Sequence, residues 1–268
     1  MQMECQAVHN VAHHPSLMQG GPAWLENANP EAPRGKSNVI SFPKSPGLHE
    51  VQDLVLARSG CTLRRARTSE QRNQASLLIK NMYEGRGYVT DTAATLSDGF
   101  NLVTLEASDH DNVVGTLSLR IDSAGGLFAD ELYRSEIDIL RKTGHRICEM
   151  TKLAFDPAHS SKEIIASLFH LGYIYASSIY HCTDLLIEVN PRHVAFYQRR
   201  LGFQVIGEER NCPRVDAPAV LLLVATDYME KQIIRFAGSR NSGEKSFYPY
   251  FFSEAELADQ TGKLQRAA

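Results

Sequence analysis

The chain has 268 residues, 43% of them hydrophobic, and a formal net charge of −3. That is enough apolar material for one large domain or two small ones, and the near balance of charge excludes a global pull towards nucleic acid or an anionic membrane. The five cysteines (Cys5, Cys61, Cys148, Cys182, Cys212) are scattered without a Cys-x-x-Cys pair, which argues against a disulfide framework or a zinc site and for a reducing compartment. No apolar run reaches the roughly eighteen residues of a membrane span, and the N-terminus lacks the basic-then-apolar order of a signal peptide, so a cytoplasmic protein is expected.

Residues 1–55 are broken repeatedly by Gly20-Gly21-Pro22, Asn29-Pro30 and Ser45-Pro46-Gly47 and are expected to form a mobile tail. His13-His14 within it is too isolated to make a metal site, and none is expected elsewhere. Folding is expected to start near Cys61, with a short strand in which Leu63, Arg65 and Arg67 alternate with Arg64 and Ala66. Thr68 or Ser69 can cap a helix over 69–84, striped by Ala75, Leu78, Ile79 and Met82 and stopped by Gly85 and Gly87. Strands over 100–106 and 113–121 flank the turn Asp109-His-Asp-Asn112, and a helix over 129–142 follows.

Then comes Arg146-Ile-Cys-Glu-Met-Thr-Lys-Leu-Ala-Phe-Asp-Pro157, a strand by its period of two, closed by proline. Its polar content is unusual for a central strand. A buried charge costs several kcal/mol unless it is paired or faces a solvated cleft. Alternation puts Glu149 and Thr151 on one face and Lys152 on the other, unless a bulge re-aims one of them. A helix from Ser160 to about Tyr180 and a strand over 185–190 complete a crossover unit, with a cleft expected at the C-terminal strand edges. Asn190 caps a further helix that opens with Pro191, carries the stripe Val194, Tyr197 and Leu201, and stops at Gly202. Strands over 203–207 and 218–225 and a helix over 227–236 close the domain. Residues 239–268 read as a loosely organised C-terminal extension whose Phe247-Tyr-Pro-Tyr-Phe-Phe252 is aromatic enough to dock. The expected fold is a single mixed α/β domain over 56–238.

Asn190-Pro-Arg-His-Val-Ala-Phe-Tyr197 with Leu201-Gly-Phe203 resembles the helix and following strand of the GNAT acyltransferase fold, a mixed central sheet flanked by helices. Gly115-Thr-Leu-Ser-Leu-Arg120, Gly126-Leu-Phe-Ala-Asp-Glu-Leu-Tyr133, Cys148-Glu-Met-Thr-Lys-Leu-Ala154 and Glu188-Val-Asn-Pro-Arg-His193 more closely resemble the FeeM-type N-acyl amino acid synthases, which are related to acyl-homoserine-lactone synthases. The resemblance runs over about residues 60–230. It implies an enzyme that moves a long fatty acyl chain from acyl carrier protein to the α-amine of an amino acid. The acyl group arrives on the carrier's phosphopantetheine, so no separate cofactor is expected. Acetyl-CoA users of the fold carry a glycine-rich loop whose amides hold the pyrophosphate. Here the same place reads Ser160-Ser-Lys-Glu-Ile-Ile165, where Ser160-x-x-Glu163 suits a capping box and a glutamate opposes a diphosphate. The missing loop favours the carrier-protein donor. Rival readings are a lactone synthase using S-adenosylmethionine and a non-catalytic sensor of acyl carrier or lipid. Lactone synthases resemble Gly-Thr-x-Arg, whereas Arg120 lies two residues further on, on the same face.

N-acylation needs a neutral amine, and a free amino acid is mostly ammonium at pH 7. Glu149 is the candidate base, with a structural ion pair to Arg120 or Lys152 as its competing role. Tyr197 is the candidate proton donor to the departing thiolate, or else part of an apolar stripe. Thr151, Lys152, Arg120, Asn190, Arg192 and His193 are the candidate substrate-binding residues. Arg192 and His193 at a helix N-terminus call for a local anion, either a substrate carboxylate or the carrier's phosphate. Lys162, Arg199 and Arg200 are candidate contacts for an acidic carrier protein.

Overall fold

The computed structural model describes residues 54–85, 87, 101–159, 161–241 and 243–267. Of the expected tail, residues 1–53 therefore lie outside the described residues, whereas Leu54 is already buried in the core. The first strands are β1 (Leu56–Arg58) and β2 (Cys61–Arg65), so the chain enters the sheet slightly earlier than the alternation of 63–67 suggests. Helix α1 spans Ser69–Glu84, where Thr68 and Gln71 form a reciprocal capping box. Strands β3 (Leu102–Asp109) and β4 (Asn112–Ile121) form a hairpin, followed by α2 (Asp130–Lys142) and β5 (Ile147–Phe155). Helix α3 (Lys162–Tyr173) runs on as a π-helix over Ile174–Ile179 before β6 (Asp184–Val189). Then come α4 (Pro191–Leu201), the short β7 (Gln204–Val205) and β8 (Arg210–Cys212), β9 (Ala217–Ala225), α5 (Thr226–Phe236) and α6 (Glu254–Ala267). The periodicity did not reveal β1, β8 or α6, the first two because three residues carry no readable period.

The sheet order is β1-β2-β3-β4-β5-β6-β9-β7, with β8 on β9. Only β5 and β6 pair in parallel among these strands, as the crossover through α3 requires. The two sheet faces differ in chemistry. Leu105, Leu117, Leu119, Cys148 and Met150 form one side of the apolar core beneath α3. The approach is close: a Cβ on Gly172 of α3 would come within 2.8 Å of Leu117 and 3.2 Å of Met150. The other face carries Thr104, Glu106, Thr116, Ser118 and Glu149, all buried. It is flanked by α1, whose Ile79 packs on Ala154, and by the segment leading into α2. A polar strip under two helices is a poor core and a good floor for a binding site.

The C-terminal extension is folded, contrary to the loose organisation expected of it. Phe247, Tyr248, Phe251 and Phe252 are all buried in the main core. Phe247 stacks on Phe169 and Phe251 on His170, with centroids 5.9 and 4.6 Å apart. The Phe252 N–H donates to His170 Nδ1 (3.0 Å), and Tyr248 donates its hydroxyl to Leu201 O (2.6 Å). The neutral imidazole suits that acceptor role, and burial first, then Arg58, pushes the His170 pKa down to about 3. Gln260 of α6 exchanges hydrogen bonds with Ala57 of β1 (2.6 and 3.2 Å), which covers the sheet edge.

Gly202 ends α4 with φ at 84°, as its position after the last periodic residue implies. A Cβ there would also run into the Tyr228 ring. Gly202→Ala is expected to cost about 1–3 kcal/mol, from the left-handed backbone and the crowding together. Urea unfolding checks this, and a loss below a few tenths would mean that the α4–α5 contact is loose.

Candidate active site

The parallel pairing of β5 with β6 is brief. It joins Ile147 to Asp184, Cys148 to Leu185 and Glu149 to Leu186, and then stops, although β5 continues to Phe155 and β6 to Val189. The strands therefore part just past Glu149. Main-chain groups along both strand edges beyond that point are left outside the ladder, where an extended ligand can meet them.

Glu149 stands at the point of parting and is 2% exposed. Its Oε2 accepts from the N–H groups of Phe128 (2.7 Å) and Ala129 (3.3 Å), in the turn before α2. Its pKa is pushed up to about 7, by burial first and the Glu188 charge second, against the two amides and Arg214. A carboxyl held there changes charge near neutral pH, the range in which a general base is effective.

Lys152 lies on the same face as Glu149, which simple alternation denied it. Thr151 pairs with Ser118 and Ala154 with Thr116, so Lys152 and Leu153 together oppose Leu117. This is a β-bulge, and Lys152 takes a left-handed φ of 53° within it. Its ammonium reaches over the Phe128 ring (5.7 Å), the ring on which the Arg120 guanidinium stacks at 4.1 Å. Burial, then Arg120, pulls the Lys152 pKa down to about 8.

Arg120 sits directly across from Glu149 in the β4–β5 register. It donates through Nε to Gly126 O (2.7 Å) and through Nη2 to Gly125 O (3.1 Å). It thus pins the turn that supplies Glu149 with its amides. Thr151 is half-buried on the same face, beside the Thr104–Ser118 hydroxyl pair (3.1 Å).

Tyr197 occupies the opposite side of the sheet. It packs edge-on against Phe169, Phe196 and Phe203, with centroids 5.2–6.4 Å away. Asn190 caps α4 by accepting the Arg192 N–H (3.2 Å), and Arg192 Nε donates to His193 Nε2 (3.2 Å). Glu149 and Tyr197 thus lie on opposite faces of the sheet, Tyr197 within an aromatic cluster, while Arg192 and His193 follow the end of β6. The three expected carrier contacts are engaged within the chain, Lys162 and Arg200 both on the 245–250 segment. Lys162 lies over Tyr250 (4.1 Å), Arg200 donates to Lys245 O, and Arg199 bonds within its own helix to Ala195 O (3.0 Å). Ser160, the expected cap of α3, lies outside the described residues; Ser161 holds the cap position and accepts from Ile164 N (3.2 Å).

Sequence reasoning missed three participants. Phe128 contributes its amide to Glu149 and its ring to both cations, a role that no motif announces. Arg214, in the turn between β8 and β9, donates to Phe128 O (2.9 Å) and pairs with Glu131 and with Glu188 (2.6 Å). Glu188 was readable, since it opens one of the blocks that carry the family resemblance. Among the described residues no three His, Cys, Asp or Glu side chains are grouped to hold a metal ion, and no helix is long and apolar enough to cross a membrane.

The mixed sheet with its opening central parallel pair is the GNAT-like fold, and the family match makes the chain an acyltransferase. The chain belongs to the N-acyl amino acid synthase FeeM family, whose model matches residues 74–225. The solved structure of FeeM, an N-acyl amino acid synthase from uncultured soil microbes, is 29% identical, with a TM-score of 0.59 over 62% of this chain and 92% of that one. An N-acetyltransferase structure from Staphylococcus aureus Mu50 is 14% identical, with a TM-score of 0.45 over 62% of this chain and 98% of that one. A search of curated proteins gave no match.

Proposed function

We propose that this acyltransferase moves a long-chain acyl group from acyl carrier protein to the α-amine of an amino acid. The observation that carries the reading is Glu149, a buried carboxyl with its pKa near 7 at the head of the strand gap. In this mechanism Glu149 takes a proton from the acceptor's ammonium. The freed amine attacks the thioester carbonyl and the C–N bond forms; the nitrogen gives up its second proton to solvent as the C–S bond breaks, and the thiolate leaves with a proton from a donor that solvent recharges. Tyr197, across the sheet, is the group offered for that last proton. Lys152 and Arg120 give the acceptor's carboxylate a cationic wall.

The donor assignment rests on the start of α3. Ser161 fills the cap, and Glu163 brings a carboxylate to the first turn, where Ser59 Oγ donates to it (2.6 Å). A helix end occupied by its own cap and an acid offers no seat for a diphosphate. A carrier protein keeps its phosphopantetheine attached and needs none. Purified enzyme given acyl carrier protein loaded with several chain lengths, plus mixed amino acids, is expected to yield N-acyl amino acids by mass spectrometry. Efficient turnover of acyl-CoA with indifference to the loaded carrier would reverse the donor assignment.

The pH profile has a definite shape. Glu149 must be ionised, so activity rises through about pH 7. Lys152 must be charged to hold a carboxylate, so activity declines above about pH 8. The profile of kcat/KM is expected to be a narrow bell between those limits, and Lys152→Met is expected to flatten its alkaline limb. An unchanged alkaline limb in that variant would remove Lys152 from substrate binding.

A further inference from the structure

Glu188 lies on β6 two residues past Leu186, the partner of Glu149, and so projects from the same face across the gap. Its side chain is 9% exposed. One oxygen, Oε1, takes the hydrogen bond from Arg214 Nη2, while Oε2 is buried and no well-aligned hydrogen bond reaches it. The neighbouring Cys212 thiol, its pKa pushed up to about 11 by burial first and then by Glu188, faces the same carboxylate and is at most a weak donor. Arg214 is already divided between Glu188, Glu131 and Phe128 O, and Phe128 in turn holds Glu149 through its amide. Among the described residues this network links three carboxylates, Glu131, Glu149 and Glu188, through one guanidinium. A buried carboxylate oxygen without a strong donor is expensive, and a fold keeps such an atom where something else supplies the donor. Within this network three carboxylates share one guanidinium, so a donor that also brings positive charge suits Oε2: a cation with N–H groups, small enough to enter between two strands.

We propose that Glu188 is the receiving residue for the acceptor's α-ammonium, with Oε2 taking one N–H while Glu149 stands opposite to take the proton that leaves. This rests on the N-acylation reading, because it assigns the ammonium to the acyl acceptor. It divides labour between two carboxylates: Glu188, paired on one side with Arg214, holds the ammonium, and Glu149 takes the proton. The other groups around Glu149 are Arg120 across β4, Lys152 along β5, Glu131 at the start of α2 and the neighbouring Cys148 thiol. Lys152 and Arg120, with the Phe128 ring between them and the turn, are left for the carboxylate end of the same acceptor.

The first arm of the test needs no donor and no turnover. The full chain is labelled with carboxyl-13C glutamate, and the Glu149 resonance is assigned by its loss in Glu149→Gln. n-Butylammonium is the probe and n-butanol its neutral control. In the wild type, butylammonium is expected to lower the Glu149 titration midpoint by about half a pH unit or more, and butanol to leave it in place. Glu188→Gln is expected to start from a lower midpoint and to lose the response to butylammonium. In turnover assays it is expected to raise KM for the amino acid about tenfold with a smaller change in kcat. A wild-type midpoint indifferent to butylammonium overturns the proposal, as does a Glu188→Gln protein that responds like the wild type. If Glu188→Gln fails to fold, the wild-type comparison of butylammonium with butanol decides alone. A protein that answers butylammonium but acylates no amino acid would sink the synthase reading and leave the ammonium site standing.

Discussion

Glu149→Gln is expected to lower kcat/KM for N-acylation by about 10²–10⁴-fold, the usual contribution of a positioned general base. Gln keeps an oxygen for the Phe128 and Ala129 amides, so the turn before α2 stays anchored and the loss reads as chemistry. Stability should move the other way. The folded pKa of Glu149 is raised to about 7 from an ordinary value near 4.5, so the protonated form is favoured by folding. That contribution is full below the ordinary value and is lost as pH rises through 7. At pH 8 the variant is therefore expected to melt at or above the wild-type temperature, because it no longer buries a charge. Retained activity would reassign Glu149 to a structural pairing, and a large fall in melting temperature would show that its ionised form supports the fold.

The second large effect lies far from the gap. Phe251 is 0% exposed and stacks 4.6 Å from the buried His170. Phe251→Ala is expected to cost about 3–5 kcal/mol, a large fraction of a typical domain's stability. Ile234→Ala, at a side chain 75% exposed, is the matched control and should change little. Urea unfolding of both separates the cases, and a Phe251→Ala loss under about 1 kcal/mol would mean that the C-terminal extension merely leans on the domain.

Why some of this was legible in the residues and some was not has a physical basis. Helices α1 and α4 were readable to within their end residues, because each combines a cap, an apolar stripe and a stop. The crossover β5-α3-β6 was readable from period alone, as was the anomaly of Glu149 on a central strand. Lys152 was not placed correctly by alternation, because a bulge breaks the period-two rule and no glycine signals it. Arg214 and the Phe128 amide entered the site through loop geometry, which leaves no periodic trace. The aromatic run 247–252 showed that it would dock but not on what, since its partners Phe169, His170 and Leu201 lie dozens of positions upstream.

That last separation bears on how the molecule is made. Ala57 and Gln260 hold each other across 203 positions, and the faces of α3 and α4 stay open to water until the aromatic run emerges from the ribosome. During synthesis the oily flanks of α3 and α4 are made well before the stretch that conceals them. Pausing late in translation therefore invites capture by a chaperone or by another unfinished chain. A chain cut just before position 247 should clump more readily than the full chain, because the flanks of α3 and α4 then lack their cover.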